Sequence, residues 1–519
     1  MAYNKYNSLG LAILVSLGGF VFGFDASVIS GTISQISNQY ALGSLQQGLV
    51  VGAPTLGAII AACFVGYLID CYGRKKILLL IAFLYLVSVI GCAFANGYWM
   101  LVIFRFIGGL AFASLMVAPV YIAEISPAAL RGKYVSINQL NIVLGFSAAY
   151  FSNYGLMSLV ESKSDLYYSW FTSEQLWRVM LGAELIPALI YFVLLLFIPE
   201  SPRWLILNNR KQEASILLNR LMLAAEINEQ LAVKPDDMHD ASLFRKILSL
   251  FENKTRFILF VGIVVSIIQQ ATGVNAVYFY APTIFEQSGL GTNAAFAQAI
   301  WIGIVNVVFT IVAMLVIDRL GRKPLLIVGL VGVVISMGIC GYGFSQAKYQ
   351  LTAENIQHSV EQIEIDKLAP MIDKIYMSDV DFKRDLRLNL GDKLAKEYEP
   401  VLLKSATQIN VTLILIGIFG FVAAFAVSLG PVMWVLLSEI FPNQVRGVAM
   451  AFVGVINSVV SFAVQLFFPW QLENLGAAFT FIIFGAFAVL GLLFVCKYLP
   501  ETKGKSLEQL EESLSNKHF

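Results

Sequence analysis

Three ionisable residues stand inside long apolar runs. They are Asp25, in Phe22-Gly23-Phe24-Asp25, Arg105 in the run near 99–122, and Glu184 in the run near 178–198. A charge in a hydrocarbon setting is costly, so each is a candidate functional group. In a low-dielectric site an approaching Arg favours the ionised form of a carboxyl, and its withdrawal favours the protonated form. Asp25 with a movable Arg105 could therefore take up and release a proton, with Glu184 as a third member. A fixed ion pair joining two helices is the alternative reading of the same residues.

A second set is polar but uncharged. Gln269, Gln270 and Asn275 share the run near 257–280, with Tyr280 at its end and Gly273 where the helix can unwind. Gln139 lies near 134–157, Asn306 near 295–317 and Asn457 near 447–469. Trp434 follows Gly430-Pro431, a helix-breaking pair suited to a gate. Amides donate and accept hydrogen bonds, and an indole offers a flat apolar face. Together they suit a ligand whose ring carries several hydroxyls. A lone Asn in a span also commonly bonds a neighbouring helix, which is the alternative for Asn306 and Asn457. For Trp434 the alternative is a core aromatic.

Metal and nucleophile chemistry find little support. Cys63, Cys71, Cys92, Cys340 and Cys496 form no close-spaced motif and read as buried small hydrophobes. His239, His358 and His518 lie outside the apolar runs, which argues against an intramembrane zinc site or a His-based triad. No metal, no cofactor and no enzymatic activity are expected.

The elements that carry these residues follow from composition. The chain has 519 residues, 58% hydrophobic and 13% charged, and a mean hydropathy of +0.74. Soluble domains carry about 25% charge, so a soluble, disordered or fibrous protein is excluded. With 35 Lys+Arg against 34 Asp+Glu, no basic face for nucleic acid is expected. Twelve runs are long enough to cross a bilayer, near 9–31, 46–69, 77–96, 99–122, 134–157, 178–198, 257–280, 295–317, 325–345, 409–437, 447–469 and 475–497. The first reads as a retained helix rather than a cleaved signal. An all-α membrane protein is expected, since a β-barrel needs short alternating strands.

Basic loops carrying Arg74, Lys75, Lys76, Arg319, Arg322 and Lys323 follow even-numbered spans, whereas 32–45, 286–294 and 471–474 hold no Lys or Arg. Both termini are then expected in the cytoplasm. A cytoplasmic helical linker is expected over 206–256, with a helix-like pattern at Glu213–Glu229. An external insertion at about 346–408 carries nine Lys/Arg and eleven Asp/Glu. Its alternating charge, and helical spacing at Ile363–Ile375, suggest short solvated helices. The external loops lack a clear Asn-x-Ser/Thr acceptor, which fits a bacterial source.

The chain also repeats itself. Asp70 with Gly73-Arg74-Lys75 is matched 248 positions later by Asp318 with Gly321-Arg322-Lys323. Glu124 and Arg131 are matched 315 positions later by Glu439 and Arg446. Pro199-Glu200-Ser201-Pro202-Arg203 is echoed by Pro500-Glu501-Thr502-Lys503. The halves are parallel repeats of six spans, a bundle at 1–205 and another at 257–508, with a tail at 509–519. The 67-residue difference between the first two offsets places the insertion in the second half.

Two parallel six-helix repeats are the plan of the major facilitator transporters, in which substrate binds near the midplane between rocking halves. The chain resembles the sugar porters of that superfamily, on Gly66–Lys75, Pro199–Leu205, Gln269–Asn275 and Pro500–Gly504. The resemblance is closest to bacterial proton-coupled xylose and hexose symporters, with facilitative glucose transporters as cousins. It implies proton coupling at Asp25, Arg105 and Glu184. It implies sugar contacts at Gln139, Gln269, Gln270, Asn275, Tyr280, Asn306, Gly430, Trp434 and Asn457. Ser458 stands where many relatives carry Trp, and Phe279 where many carry Tyr, so the identity of the sugar is not carried over.

A cytoplasmic gate is expected from Asp70, Arg74, Glu124, Arg131, Glu200, Arg203, Asp318, Arg322, Glu439 and Arg446, with opposite charges bridging the halves when that side closes. The expected function is import of a pentose or hexose with protons by a monomer in a bacterial inner membrane. The expected partners are the sugar, protons and the lipid bilayer. A facilitative uniporter, a myo-inositol symporter and a transporter-like sugar receptor are the competing readings.

Overall fold

The computed structural model describes residues 8–127, 130–161, 175–221, 250–252, 255–352, 365–442 and 445–503. Long runs of Leu, Ile, Val, Ala and Phe satisfy their backbone polar groups within single helices, the form that a bilayer tolerates. Twelve helices are long and apolar enough to cross one. They are α1 Ser8–Gly31, α2 Ser44–Tyr72, α3 Arg74–Ala93, α4 Tyr98–Ile125, α5 Arg131–Val160 and α6 Leu176–Leu195 in the first half. The second half holds α7 Arg256–Phe279, α8 Thr292–Ile317, α9 Arg322–Ser345, α10 Val411–Ile440, α11 Arg446–Asn474 and α12 Gly476–Tyr498. Large apolar side chains such as Phe64, Phe83, Leu189, Leu315, Val328 and Leu493 lie exposed along them. In water such a surface would aggregate, whereas in a membrane it faces lipid.

That outer face corrects one expectation. Cys92 and Cys340 are buried, but Cys63, Cys71 and Cys496 are exposed. An apolar run in a membrane helix has a lipid side as well as a core side, and hydropathy does not separate them. The three histidines fall outside the described residues.

Four spanning helices are interrupted where polar chemistry is carried. α4 pauses at Phe112-Ala113 and α6 at Ala183-Glu184. α7 breaks at Thr272-Gly273, where Gly273 takes φ 88°. A Cβ there would also stand 2.5 Å from the Phe484 ring, so conformation and space both demand glycine. α10 breaks at Ser428, just before Gly430-Pro431. The breaks of α7 and α10 meet: the Gln269 side-chain amide donates to the carbonyls of Leu429 at 2.9 Å and Gly430 at 3.4 Å, in the first turn after the α10 break.

Two seams join the halves, α2 against α11 and α5 against α8. The first half has its own core around Val15, Leu78, Tyr121 and Tyr191. The insertion has another, around Tyr349, Leu368, Phe382, Leu386 and Leu402. Its helices Asp379–Leu390 and Asp392–Ala406 accord with the expected short helices. It also holds a three-stranded antiparallel sheet, with β1 Lys348–Gln350 between β2 Ile375–Tyr376 and β3 Thr407–Gln408. Tyr349 pairs with Tyr376 on one side and Thr407 on the other. Strands of two or three residues are too short to show an alternating pattern. The helical spacing read at Ile363–Ile375 yields only Ile365–Leu368 and a 3-10 turn before β2 begins. Of the pattern at Glu213–Glu229, Lys211–Leu221 is a helix and the remainder lies outside the described residues.

Candidate functional site

Asp25 on α1, Arg105 on α4 and Glu184 on α6 converge inside the first half. All three are at least 96% buried, with exposures of 4%, 2% and 2%. Arg105 Nη1 lies 2.7 Å from Asp25 Oδ1 and also approaches the Asp25 carbonyl at 3.4 Å. Arg105 Nε donates to the Val50 carbonyl at 3.4 Å, which ties the guanidinium to α2. Glu184 sits within electrostatic reach of both. Among the described residues, Asp25 Oδ2 and Glu184 Oε1 have no hydrogen-bond partner. The set counts two carboxyls against one guanidinium, so it is neutral only when it holds one proton.

The amide set gathers in the second half. Gln270 Nε2 donates to Asn457 Oδ1 at 3.1 Å, and Asn275 Nδ2 donates to Gln270 Oε1 at 2.9 Å. Asn457 Nδ2 donates to Gln269 Oε1 at 2.8 Å and to the Ser266 carbonyl at 3.0 Å. Gln269 and Asn457 are buried, while Gln270 and Asn275 are half-buried. Gly430 belongs to the same knot through its carbonyl. Trp434, 41% exposed, keeps its indole 3.8 Å from where a Cβ on Gly454 would stand, on α11. Gln139 is half-buried on α5 and Asn306 is buried on α8, outside this hydrogen-bonded knot among the described residues. Tyr280 is also outside it: its hydroxyl donates to the Gln465 carbonyl at 3.1 Å and its ring packs on Phe468. Ser458 turns to its own helix, donating to the Gly454 carbonyl at 3.0 Å. Phe279 stacks on Phe146 of the other half at 6.4 Å.

Sequence reasoning missed three partners. Ser461 accepts from Asn275 Nδ2 at 2.5 Å and from Gln465 Nε2 at 2.8 Å. Gln465 also donates to Thr55 Oγ1 at 3.0 Å, across the α2–α11 seam. The signal was present: Asn457, Ser461 and Gln465 recur every four residues, a polar stripe on one face of an apolar helix.

The charges at the helix corners form two matching clasps, each closed within its own half. Arg74 holds Glu124 through Nε at 3.1 Å and Nη2 at 3.0 Å, and its Nη1 lies 3.3 Å from Asp70. Glu200 accepts from the backbone N–H of Arg74 at 2.9 Å and Lys75 at 3.1 Å, capping α3. In the second half Arg322 holds Glu439 at 2.7 Å. Glu501 accepts from the backbone N–H of Arg322 at 3.1 Å and Lys323 at 3.0 Å, capping α9. Gly73 and Gly321, at φ 94° and 93°, make the two corners. Arg131 donates to the Ala123 carbonyl and Arg446 to the Phe441 carbonyl. Arg203 lies in the first turn of the short helix Pro202–Leu207, which Ser201 caps. The Asp318 side chain lies outside the described residues.

The ion pairs of Arg74 with Asp70 and Glu124, and of Arg322 with Glu439, each join neighbouring helices of one repeat. Burial pulls the Glu501 carboxyl upward, but four backbone N–H donors outweigh it and hold the group below the usual carboxylate range.

The family model described as "Sugar (and other) transporter" matches residues 11–358 and 398–514. The arabinose-proton symporter of Bacillus subtilis is 33% identical over 98% of this chain and 96% of its own length. The D-xylose-proton symporter of Escherichia coli K12 is 31% identical over 98% and 96%. Among solved structures, the inward-open xylose transporter XylE from E. coli superposes with a TM-score of 0.71 at 29% identity, covering 98% of this chain and 99% of that one. The same symporter bound to 6-bromo-6-deoxy-D-glucose gives 0.68. Twelve spans in two repeats, with a family match over most of their length, lead to one conclusion: the chain belongs to the sugar transporters of the major facilitator superfamily.

Proposed function

We propose that the chain imports a monosaccharide, a pentose or a hexose, together with protons by alternating access. The observation that carries this reading is the buried set Asp25–Arg105–Glu184, which balances its charge by holding one proton. Arg105 moving away from Asp25 would favour protonation, and returning would favour release. The sugar would bind between the halves against Gln269, Gln270, Asn275 and Asn457, with Gln139, Asn306, Gly430, Trp434 and Tyr280 as further contacts. The symporter names of two relatives support the coupling, and the names of the arabinose and xylose relatives support the substrate class.

The bundles at 1–205 and 257–508 would rock against each other, braced by the linker at 206–256. The chain would work as a monomer, since both candidate sets lie within one chain. It would lie in a bacterial inner membrane with both termini cytoplasmic, a reading supported by the basic corners at Arg74–Lys76 and Arg322–Lys323. The sealed α2–α11 seam and the higher TM-score with inward-open XylE support an inward-facing state for this structure.

The test is the external pH of lightly buffered cells expressing the chain, challenged with D-xylose, L-arabinose, D-glucose, D-galactose or myo-inositol. Alkalinisation on adding a pentose or hexose is the expected result. Alkalinisation with myo-inositol alone would make the chain a cyclitol symporter. Silence with all five, beside measurable sugar exchange in vesicles, would make it a uniporter.

A further inference from the structure

A cavity of about 750 Å³ lies on the side opposite the basic corners. Its walls come from the segment Ile33–Gln47 of the first half, from Tyr280–Gln287, from the end of α11 and from the insertion helices Asp379–Leu390 and Asp392–Ala406. Its size falls within the range of small-ligand pockets, roughly 300–1,000 Å³. Tyr280 alone is shared with the candidate sugar contacts, so the amide knot on α7 and α11 lies outside this chamber.

Four residues that line the chamber each carry a buried polar atom without a hydrogen-bond partner among the described residues: Gln35 Oε1, Ser37 Oγ, Thr283 Oγ1 and Arg387 Nε. Ser37 is only 8% exposed. Buried polar atoms without partners are unfavourable and are normally satisfied. Three of the four residues, Gln35, Ser37 and Thr283, bring an amide or a hydroxyl to the lining, the kinds of group that pair with hydroxyls of a solute.

The charges narrow the ligand class. Lys383, almost fully buried, lies 3.0 Å from Asp379 and 3.9 Å from Glu399, and donates to Gln287 Oε1 at 3.4 Å. Arg387 lies 2.6 Å from Glu473. Both chamber cations are thus already matched by carboxylates, and a phosphate or carboxylate ligand would meet net negative surroundings. Burial, opposed by a hydrogen bond from Thr292, pushes the Glu286 carboxyl up to about 7. Near neutral pH it is therefore partly protonated, and in that form it donates rather than repels.

We propose that this outer chamber is a second binding site for a neutral polyhydroxylated solute, roofed by the insertion and separate from the central site. The inference rests on the sugar-transport reading for the choice of ligand. It adds a place where solute is held on the outer side while the central site opens to the cytoplasm.

The test uses the full chain with its five cysteines replaced by Ser, and with Gln270→Ala to disable the central site. Ser34→Cys, on the exposed rim of the chamber, is labelled with a membrane-impermeant maleimide. The same experiment is repeated with Asn38→Cys. D-xylose, L-arabinose, D-glucose and myo-inositol are the probes, with D-glucuronate and D-glucosamine as charged counterparts. At least one neutral probe is expected to slow labelling threefold or more. Adding Gln35→Ala with Thr283→Ala is expected to abolish that protection.

Unchanged labelling with every neutral probe overturns the proposal. Protection by a charged probe only, or protection that survives the double replacement, also overturns it. The transport reading is scored separately, by sugar exchange of the wild-type chain in vesicles. Exchange without protection refutes the chamber alone, and protection without exchange refutes transport alone.

Discussion

Asp25→Asn removes one of the two carboxyls that face Arg105 and leaves a group of nearly the same shape. The asparagine oxygen can still accept from Arg105 Nη1 where the carboxylate does, at 2.7 Å. The buried set then counts Arg105 against Glu184 alone. It is neutral without a proton, so it has none to carry. One elementary charge crossing a membrane is worth about 2.3 kcal/mol per 100 mV. At about 1.4 kcal/mol per tenfold, one coupled proton sustains roughly a fiftyfold sugar gradient at 100 mV. The wild-type chain should approach that ratio, and the variant should equilibrate at a ratio of about one. Proteoliposomes with an imposed potassium diffusion potential measure the first quantity with radiolabelled sugar. Counterflow in the same vesicles measures exchange, which the variant should keep. Accumulation by the variant above about twofold at 100 mV would refute the charge-balance argument. Loss of counterflow together with a clearly lowered Tm would show that Asp25 holds the helices together rather than carrying a proton.

Three further outcomes are expected. Gln270→Ala deletes the link between Asn275 and Asn457, and should weaken sugar binding at least tenfold, a loss read by equilibrium binding and by an unchanged Tm. Arg74→Ala leaves Glu124 half-desolvated without its cation. Removing one partner of a buried pair costs about 3–5 kcal/mol, so Tm in detergent should fall clearly while the sugar affinity of the surviving protein stays the same. Glu501→Gln tests the second clasp by pH. A carboxyl held below its ordinary value stabilises the fold above about pH 4.5 and loses that contribution as pH falls through the lowered value. The Tm gap between wild type and variant should be widest near neutral pH and close under acid. A gap that grew on acidification would contradict the assignment.

The spans were legible in the sequence because a hydrocarbon slab demands length and hydropathy, and both are local properties. The repeat was legible because Gly-Arg-Lys and Pro-Glu recur at fixed offsets, and each does the same job twice: a left-handed corner and a cap on the next helix. Gln269, Gln270, Asn275 and Asn457 stood out because amides are rare and expensive in such helices. Ser461 and Gln465 share a polar stripe of α11 with Asn457, but their bonds to Asn275 and Thr55 depend on how α7, α11 and α2 fold together. Charge type alone showed that Arg74 and Glu124 matter, but not that they close within one half, because that depends on which helices are neighbours. The sheet in the insertion was invisible for a different reason. Its strands are two or three residues long, and Tyr349 finds its partners 27 and 58 positions away.

Because Arg74 and Glu124 ride on one rigid body, and Arg322 and Glu439 on the other, each clasp contributes the same free energy whichever way the transporter faces. Such a term cancels from the equilibrium between the two states. Agents that bind or modify the clasps should alter how long the protein survives, and leave turnover untouched. The balance between the two states must then be poised elsewhere, at contacts that cross from one half to the other, such as Thr55–Gln465 on the α2–α11 seam.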